Sequence, residues 1–160
     1  VADNYKMPVN LIDPNDINSP GLNPFIFDSP LSISTAISTV LKGLYAANLK
    51  TIDMAYVEVM STQAIENLAI LLKVMYPRLH DGDLPNLEDM MECLNDFSLV
   101  ESLCEKMKED EELRQEYKLL LSFFKKNFYE NSSGKADMEK YVSAATSQLE
   151  ILLRLSLIHI

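Results

Sequence analysis

Apolar residues recur at steps of three and four over residues 53–79, and this spacing constrains the fold more than any other feature of the chain. The members of the repeat are Met54, Val57, Ala64, Ile65, Leu68, Leu71, Leu72 and Met75. Such a repeat forms one apolar stripe along an α-helix, which is buried against neighbouring elements. Only four residues are glycine and 48% are hydrophobic, which favours a packed helical body over disorder. The sequence therefore predicts a mainly α fold.

Five other segments carry the same spacing or a helix-capping signal, so we expect about six helices. The six predicted helices occupy residues 30–48, 53–79, 87–94, 99–107, 113–128 and 137–152. A loop at residues 80–85 and a linker at residues 131–134 separate some of them, because glycine and other turn residues cluster there. Together these segments predict a compact all-α domain with an orthogonal or bundle-like core.

Local capping signals set the predicted helix starts. Ser29 offers a capping hydroxyl, and Pro30 suits the first position of a helix. Ser98 followed by Glu101 matches a capping box. Residues 109–112 either bend the fourth helix or begin the next one, since acidic residues are favourable at a helix N-terminus.

One short β-strand is predicted before the helices, at residues 9–12. Pro8 and Pro14 bracket it, because proline cannot donate to a strand ladder. The loop that follows, residues 15–24, consists largely of Asn, Asp, Ser, Pro and Gly. No partner strand is predicted downstream, so the strand either joins a sheet outside these residues or lies as an irregular arm.

Four residues of this N-terminal segment, Asp13, Pro14, Asn23 and Pro24, form the most specific pattern in the chain. The pattern resembles type IV secretion coupling proteins, the TraG-like conjugative DNA-transfer ATPases. In that family such a segment leaves the nucleotide-binding sheet and enters a helical domain. The resemblance extends over nearly the whole chain through two further segments, residues 68–79 and 84–107.

The resemblance implies an internal fragment of a larger ATPase. Residues 1–28 would be a strand-and-loop arm left over from the α/β motor domain, and residues 29–154 the all-α domain that recognises transfer substrates. The parent would be a homo-oligomeric motor anchored at the cytoplasmic face of the membrane. It would bind ATP and Mg²⁺ through motifs that these 160 residues lack. For this chain we expect no catalytic residue, no bound cofactor and no metal.

Residues 155–160 form a separate tail in this interpretation. Their sequence, Leu-Ser-Leu-Ile-His-Ile, resembles translated sequencing adapter, and we expect it to be non-native. An ordinary amphipathic helix end is the alternative. Under the first interpretation no chemistry is assigned to His159.

The net charge of −10 lies in one segment of the chain. Residues 81–116 hold thirteen acidic and three basic residues, whereas the two signs balance elsewhere. Such a segment repels phosphate backbones, which disfavours direct DNA contact and favours a basic protein partner. The candidate partner-binding residues are Glu101, Glu105, Glu109, Asp110, Glu111 and Glu112. The resemblance implies a relaxase or a relaxosome accessory protein as the partner, while a solvated helix face is the alternative.

The sequence signals for other functional sites are weaker. Cys93 and Cys104 have no ligand-spaced neighbours, and we expect buried, reduced thiols in a cytoplasmic protein. His80, Asp81 and Asp83 could hold a divalent ion, but a polar loop between helices explains them equally. No apolar run approaches the roughly twenty residues that span a bilayer.

Three functions are compatible with these observations. The leading one is substrate recognition in a conjugative coupling ATPase, where the domain docks relaxase or accessory proteins for DNA transfer. The second is the corresponding helical region of an assembly-type secretion ATPase, which also follows an Asn-Pro segment. The third is a free-standing acidic helical adaptor, which an upstream phosphate-loop motif in the same reading frame would eliminate.

Overall fold

The computed structural model describes residues 23–26, 28–46 and 52–157. These residues form seven α-helices: α1 Pro30–Ala46, α2 Ile52–Leu79, α3 Leu87–Asn95, α4 Phe97–Glu109, α5 Glu111–Glu116, α6 Lys118–Phe124 and α7 Ser132–Leu157. A 3₁₀ turn, Pro24–Ile26, precedes α1, and a π-helical turn, Lys125–Tyr129, joins α6 to α7. The prediction of a mainly α, compact fold is confirmed. The predicted strand at residues 9–12, together with Asp13 and Pro14, lies outside the described residues.

Helix α2 is the centre of the core, as its apolar repeat predicts. It packs against α1 and α7 and also contacts α3 and α4. Six members of the repeat are buried: Ala64, Ile65, Leu68, Leu71, Leu72 and Met75. Removal of these side chains from water supplies the main driving force for this packing.

A second group of buried side chains joins α4, α6 and the π-helical turn. The ring of Phe128 lies 4.2 Å from that of Phe97 and 5.0 Å from that of Phe124, measured between centroids. The Phe124 and Phe128 rings meet edge to face, a favoured arrangement of aromatic quadrupoles. Met107 and Met138 belong to the same core and are almost fully buried, where their flexible side chains can fill irregular space.

The predicted start of α4 is wrong. Asp96, not Ser98, is its N-cap, because the Asp96 carboxylate accepts hydrogen bonds from the Ser98 backbone N–H at 2.9 Å and from the Ser98 hydroxyl at 2.6 Å. A capping box exists one helix earlier, where Asn86 caps α3. The Asn86 N–H donates to the Asp89 carboxylate at 2.7 Å, while the Asp89 N–H donates back to Asn86 at 3.2 Å.

Residues 109–112 begin a new helix, which was one of the two expected outcomes. Asp110 is the N-cap of α5, and its carboxylate accepts from the N–H groups of Glu112 and Leu113 at 2.9 and 3.1 Å. The helix predicted over residues 113–128 is interrupted at Tyr117, so it appears as α5, α6 and the π-helical turn. This interruption accounts for seven helices in the described residues instead of about six.

Of the linker predicted at residues 131–134, residues 132–134 are helical instead and only Asn131 lies outside the helix. Helix α7 begins at Ser132, and the Asn131 side chain accepts from the Ser133 N–H at 3.1 Å. Gly134 is in its first turn, where a Cβ atom would lie 2.8 Å from the Lys126 carbonyl oxygen. Gly134 therefore allows α7 to approach the π-helical turn closely, and it does not form a chain reversal.

Candidate functional site

Residues 23–26, the entry turn, are anchored on two distant parts of the helical body. The Asn23 amide donates to the Pro85 carbonyl at 3.0 Å and accepts from the Phe25 N–H at 3.1 Å. The ammonium group of Lys73, on α2, donates to the Phe25 carbonyl at 2.8 Å. Phe25 itself is fully buried in the core. Asn23 and Pro24, the second half of the predicted motif, thus belong to a turn that is fixed on α2 and on the loop before α3.

The six predicted partner-binding residues, called here the acidic surface, lie along α4, at its junction with α5 and in the first turn of α5. Glu101, Glu105 and Glu109 are spaced four residues apart, which brings them to one side of α4. Asp110 lies between the helices, and Glu111 and Glu112 are in the first turn of α5. All six side chains are exposed. The sequence therefore predicted their exposure correctly, and they lie on two consecutive helices.

Hydrogen bonding separates the members of the acidic surface into two groups. Glu105 pairs with Lys108 at 2.6 Å, and Glu111 pairs with Arg114. Hydrogen bonds from Gln115 and Arg114 lower the pKa of Glu111, so this carboxylate is held in its charged form. Asp110 is used as the cap of α5.

The remaining three members are Glu101, Glu109 and Glu112. Within the part of the chain that the structure describes, none of them makes an ion pair. Their charges face water and are the most available to an incoming cation.

A cleft of about 450 Å³ lies between the C-terminal end of α2 and the α4–α5 junction. Its lining residues are Met75, Arg78, Leu79, Lys106, Glu109, Asp110, Glu111 and Leu113. Sequence reasoning missed this cleft, because its two walls come from segments about thirty residues apart. The acidic surface thus adjoins a depression with apolar residues on its floor.

The cysteines are free and buried, as predicted. Burial raises the pKa of Cys93 and that of Cys104 to about 12, so the reactive thiolate is scarce at neutral pH. Tyr129 is partly buried near Cys104, and burial also raises its pKa. These three groups are inert packing elements near pH 7.

His80, Asp81 and Asp83 lie in an exposed turn after α2. The His80 ring stacks on Tyr76 with 4.0 Å between centroids. Asp81 and Gly82 adopt positive φ angles of 52° and 95°, as a tight reversal requires. Among the residues with described positions, no three His, Cys, Asp or Glu side chains are arranged to hold a metal ion.

Comparison with known proteins leaves the family open. No protein-family model matches the chain, and no curated protein or solved structure is significantly similar to it. Over the described helices, none is both long and apolar enough to cross a membrane.

Proposed function

We propose that this chain is a protein-docking helical domain, the substrate-recognition part of a TraG-like conjugative coupling ATPase. In this proposal the acidic surface receives a basic relaxase or relaxosome accessory protein at the cytoplasmic face of the membrane. The observation that carries it is the exposure of all six predicted carboxylates, three of which have no ion-pair partner within the described residues. Catalysis, ATP and Mg²⁺ belong to the motor domain of the parent, not to this chain.

The electrostatic argument rests on where the negative charges are concentrated. Residues 101–116 carry seven acidic and three basic residues over α4 and α5. A one-sign surface attracts a partner of opposite charge and accelerates its association, whereas it repels nucleic-acid phosphates. A basic protein that itself carries DNA fits this requirement better than DNA alone.

The fixed entry turn suits a helical domain that follows another domain in the same chain. Asn23, Phe25 and Lys73 hold the incoming chain against α2 by hydrogen bonds and burial. A fixed entry point would transmit the orientation of a preceding motor domain to the helical body.

Two other functions share part of this support. The corresponding region of an assembly-type secretion ATPase would use the same Asn23-Pro24 turn, and a free-standing acidic adaptor would use the same acidic surface. We place both behind the coupling-protein function, because only that function accounts for the turn and the acidic surface together.

The test is the rate of association with the relaxase or accessory protein encoded beside the parent gene. In one variant Glu105, Glu109 and Glu112 become glutamine. At low salt we expect association to slow about tenfold or more, with a smaller change in dissociation, because exposed charges mainly steer the encounter. The difference between wild type and variant should shrink as salt screens the charges.

A matched control removes the same amount of charge elsewhere. Glu88, Glu130 and Glu139 are also exposed, and their replacement by glutamine changes the net charge equally. Both variants should keep the thermal unfolding midpoint of the wild type to within a few degrees, because exposed substitutions have small effects on stability. Equal association rates for the two variants would show that the acidic surface is only a solvated face.

A further inference from the structure

The cleft beside the acidic surface joins an apolar floor to a charged edge. Met75 and Leu113 form part of its lining with 3% and 7% of their surface exposed, while Leu79 is 39% exposed. Leu79 is therefore apolar surface that a partner can cover without any rearrangement of the core. Glu109, at the end of α4, and Glu111, at the start of α5, lie along the edge.

Two cations, Arg78 and Lys106, also line the cleft, and their positions determine which part of the lining can attract a basic partner. The Arg78 guanidinium donates to the Val74 carbonyl of its own helix, which occupies part of its hydrogen-bonding capacity. Lys106 makes no ion pair within the described part of the chain. The α4–α5 side of the lining contributes the carboxylates of Glu109, Asp110 and Glu111 together with the Lys106 cation, whereas α2 contributes the Arg78 cation. The edge formed by α4 and α5 is thus its negative side.

We propose that this cleft docks a short basic segment of the partner, with one apolar side chain on the floor and flanking Lys or Arg residues at the acidic edge. The inference rests on the proposed function, because it assigns the contact point of the same basic partner. The flanking residues of the partner segment are basic because they complement the acidic edge. The residue between them is apolar because it covers the exposed Leu79. The depression has a volume of about 450 Å³ and is open to solvent over most of its extent.

The probes are two synthetic peptides of equal charge, Ala-Lys-Arg-Leu-Lys-Arg-Ala and the same peptide with alanine in place of leucine. Their binding to the whole chain is measured by fluorescence anisotropy at low salt. We expect the leucine peptide to bind at least about fivefold more tightly, because only its side chain covers the apolar floor. The double variant Glu109→Gln/Glu111→Gln should weaken both peptides by the same factor.

Leu79 and Leu99 provide a matched pair of substitutions. Both leucines are 39% exposed, but only Leu79 lines the cleft. Leu79→Ser should abolish the preference for the leucine peptide, whereas Leu99→Ser should leave it intact. Circular dichroism checks that both variants retain the wild-type helical content.

The outcomes separate this inference from the function on which it rests. If both peptides bind wild type equally, or if Leu79→Ser and Leu99→Ser act alike, the cleft is not the docking site. Slower association of the relaxase with the Glu105, Glu109 and Glu112 variant than with wild type, by a difference that shrinks as salt is added, would still support the acidic surface in that case. If neither measurement depends on these carboxylates, the proposed function fails and the inference fails with it.

Discussion

The entry turn is held by contacts between residues that are far apart in the chain, whereas the acidic surface is held by contacts between residues of the same helical turn. Asn23 reaches Pro85, 62 positions away along the chain, and Lys73 reaches Phe25 over 48 positions. On the acidic surface, Lys108 and Arg114 each pair with a glutamate three residues earlier in the same helix. Long-range contacts fix how elements pack, whereas pairs within one helical turn only stabilise that turn.

This difference separates residues that the fold needs from residues that are available for binding. Phe25 gains hydrophobic free energy of about 1.5–3 kcal/mol on burial, while an exposed ion pair contributes about 0–1 kcal/mol. The carboxylates of the acidic surface can therefore be changed with little effect on folding.

Among the substitutions that test this comparison, Phe25→Ala is expected to lower the free energy of unfolding most. The substitution leaves a cavity under a fully buried ring, and we expect it to lower the free energy of unfolding by about 3–5 kcal/mol. Chemical denaturation followed by circular dichroism measures the change. Ile26→Ala, at the next position, is the control, because Ile26 is 65% exposed and its loss should cost less than about 0.5 kcal/mol.

Similar stabilities of these two variants would show that the entry turn is only loosely attached. The same measurement bears on the predicted boundary after residue 28. That boundary separates Phe25 from a core to which it belongs. A deletion of residues 1–28 should therefore destabilise the helical body at least as much as Phe25→Ala does.

Local periodicity predicted the helices, but the positions of several ends depended on tertiary packing. The α2 repeat was sufficient to identify Leu68 as a core residue, because spacing alone sets which side of a helix is apolar. At α4 the start lies two residues ahead of the Ser98 signal, because the Asp96 carboxylate caps the helix, and the helix then begins with the buried Phe97. At residues 131–134 the turn-like composition was misleading, since Gly134 is needed for contact with Lys126.

The same distinction applies to the candidate site. Charge and polarity are local properties, so the exposure of Glu101 and its neighbours could be predicted from sequence. The cleft could not, because Leu79 and Glu109 become neighbours only when α2 packs against α4. The bond from Lys73 to the Phe25 carbonyl was missed for the same reason, since no sequence signal pairs a lysine with one distant carbonyl.

An intermediate effect is expected at Gly134, where a long-range contact opposes local propensity. In an ordinary helix Gly→Ala stabilises by about 0.5–1 kcal/mol. Here the new Cβ would meet the Lys126 carbonyl oxygen at 2.8 Å, and backbone atoms must shift to accept it. We expect Gly134→Ala to lower the free energy of unfolding by about 1–3 kcal/mol, as overpacking does.

Ala136→Gly, two residues further along α7, controls for propensity. Ala136 is exposed, so this change should cost only the usual helix propensity of about 0.5–1 kcal/mol. A stabilised Gly134→Ala protein would mean that propensity outweighs the contact between α7 and the π-helical turn.

The smallest expected losses of stability come from two lysine substitutions. One lysine holds the entry turn, and the other pairs with the acidic surface. Lys73→Met keeps most of the side-chain volume but removes the hydrogen bond to the Phe25 carbonyl, and we expect a loss of about 1.5 kcal/mol. Lys108→Met removes the exposed pair with Glu105 and the cation–π contact with the Tyr129 ring, whose centroid lies 5.9 Å from the ammonium group, and should cost about 0.5–1 kcal/mol. The cost at Lys108 should fall further in 1 M salt, where the screening length is about 3 Å, whereas the cost at Lys73 should persist because its bond is partly buried. Denaturation of both variants at low and high salt measures these four values. Equal losses that both vanish in salt would remove the distinction between the entry turn and the acidic surface, since Lys73 would then act as one more surface charge.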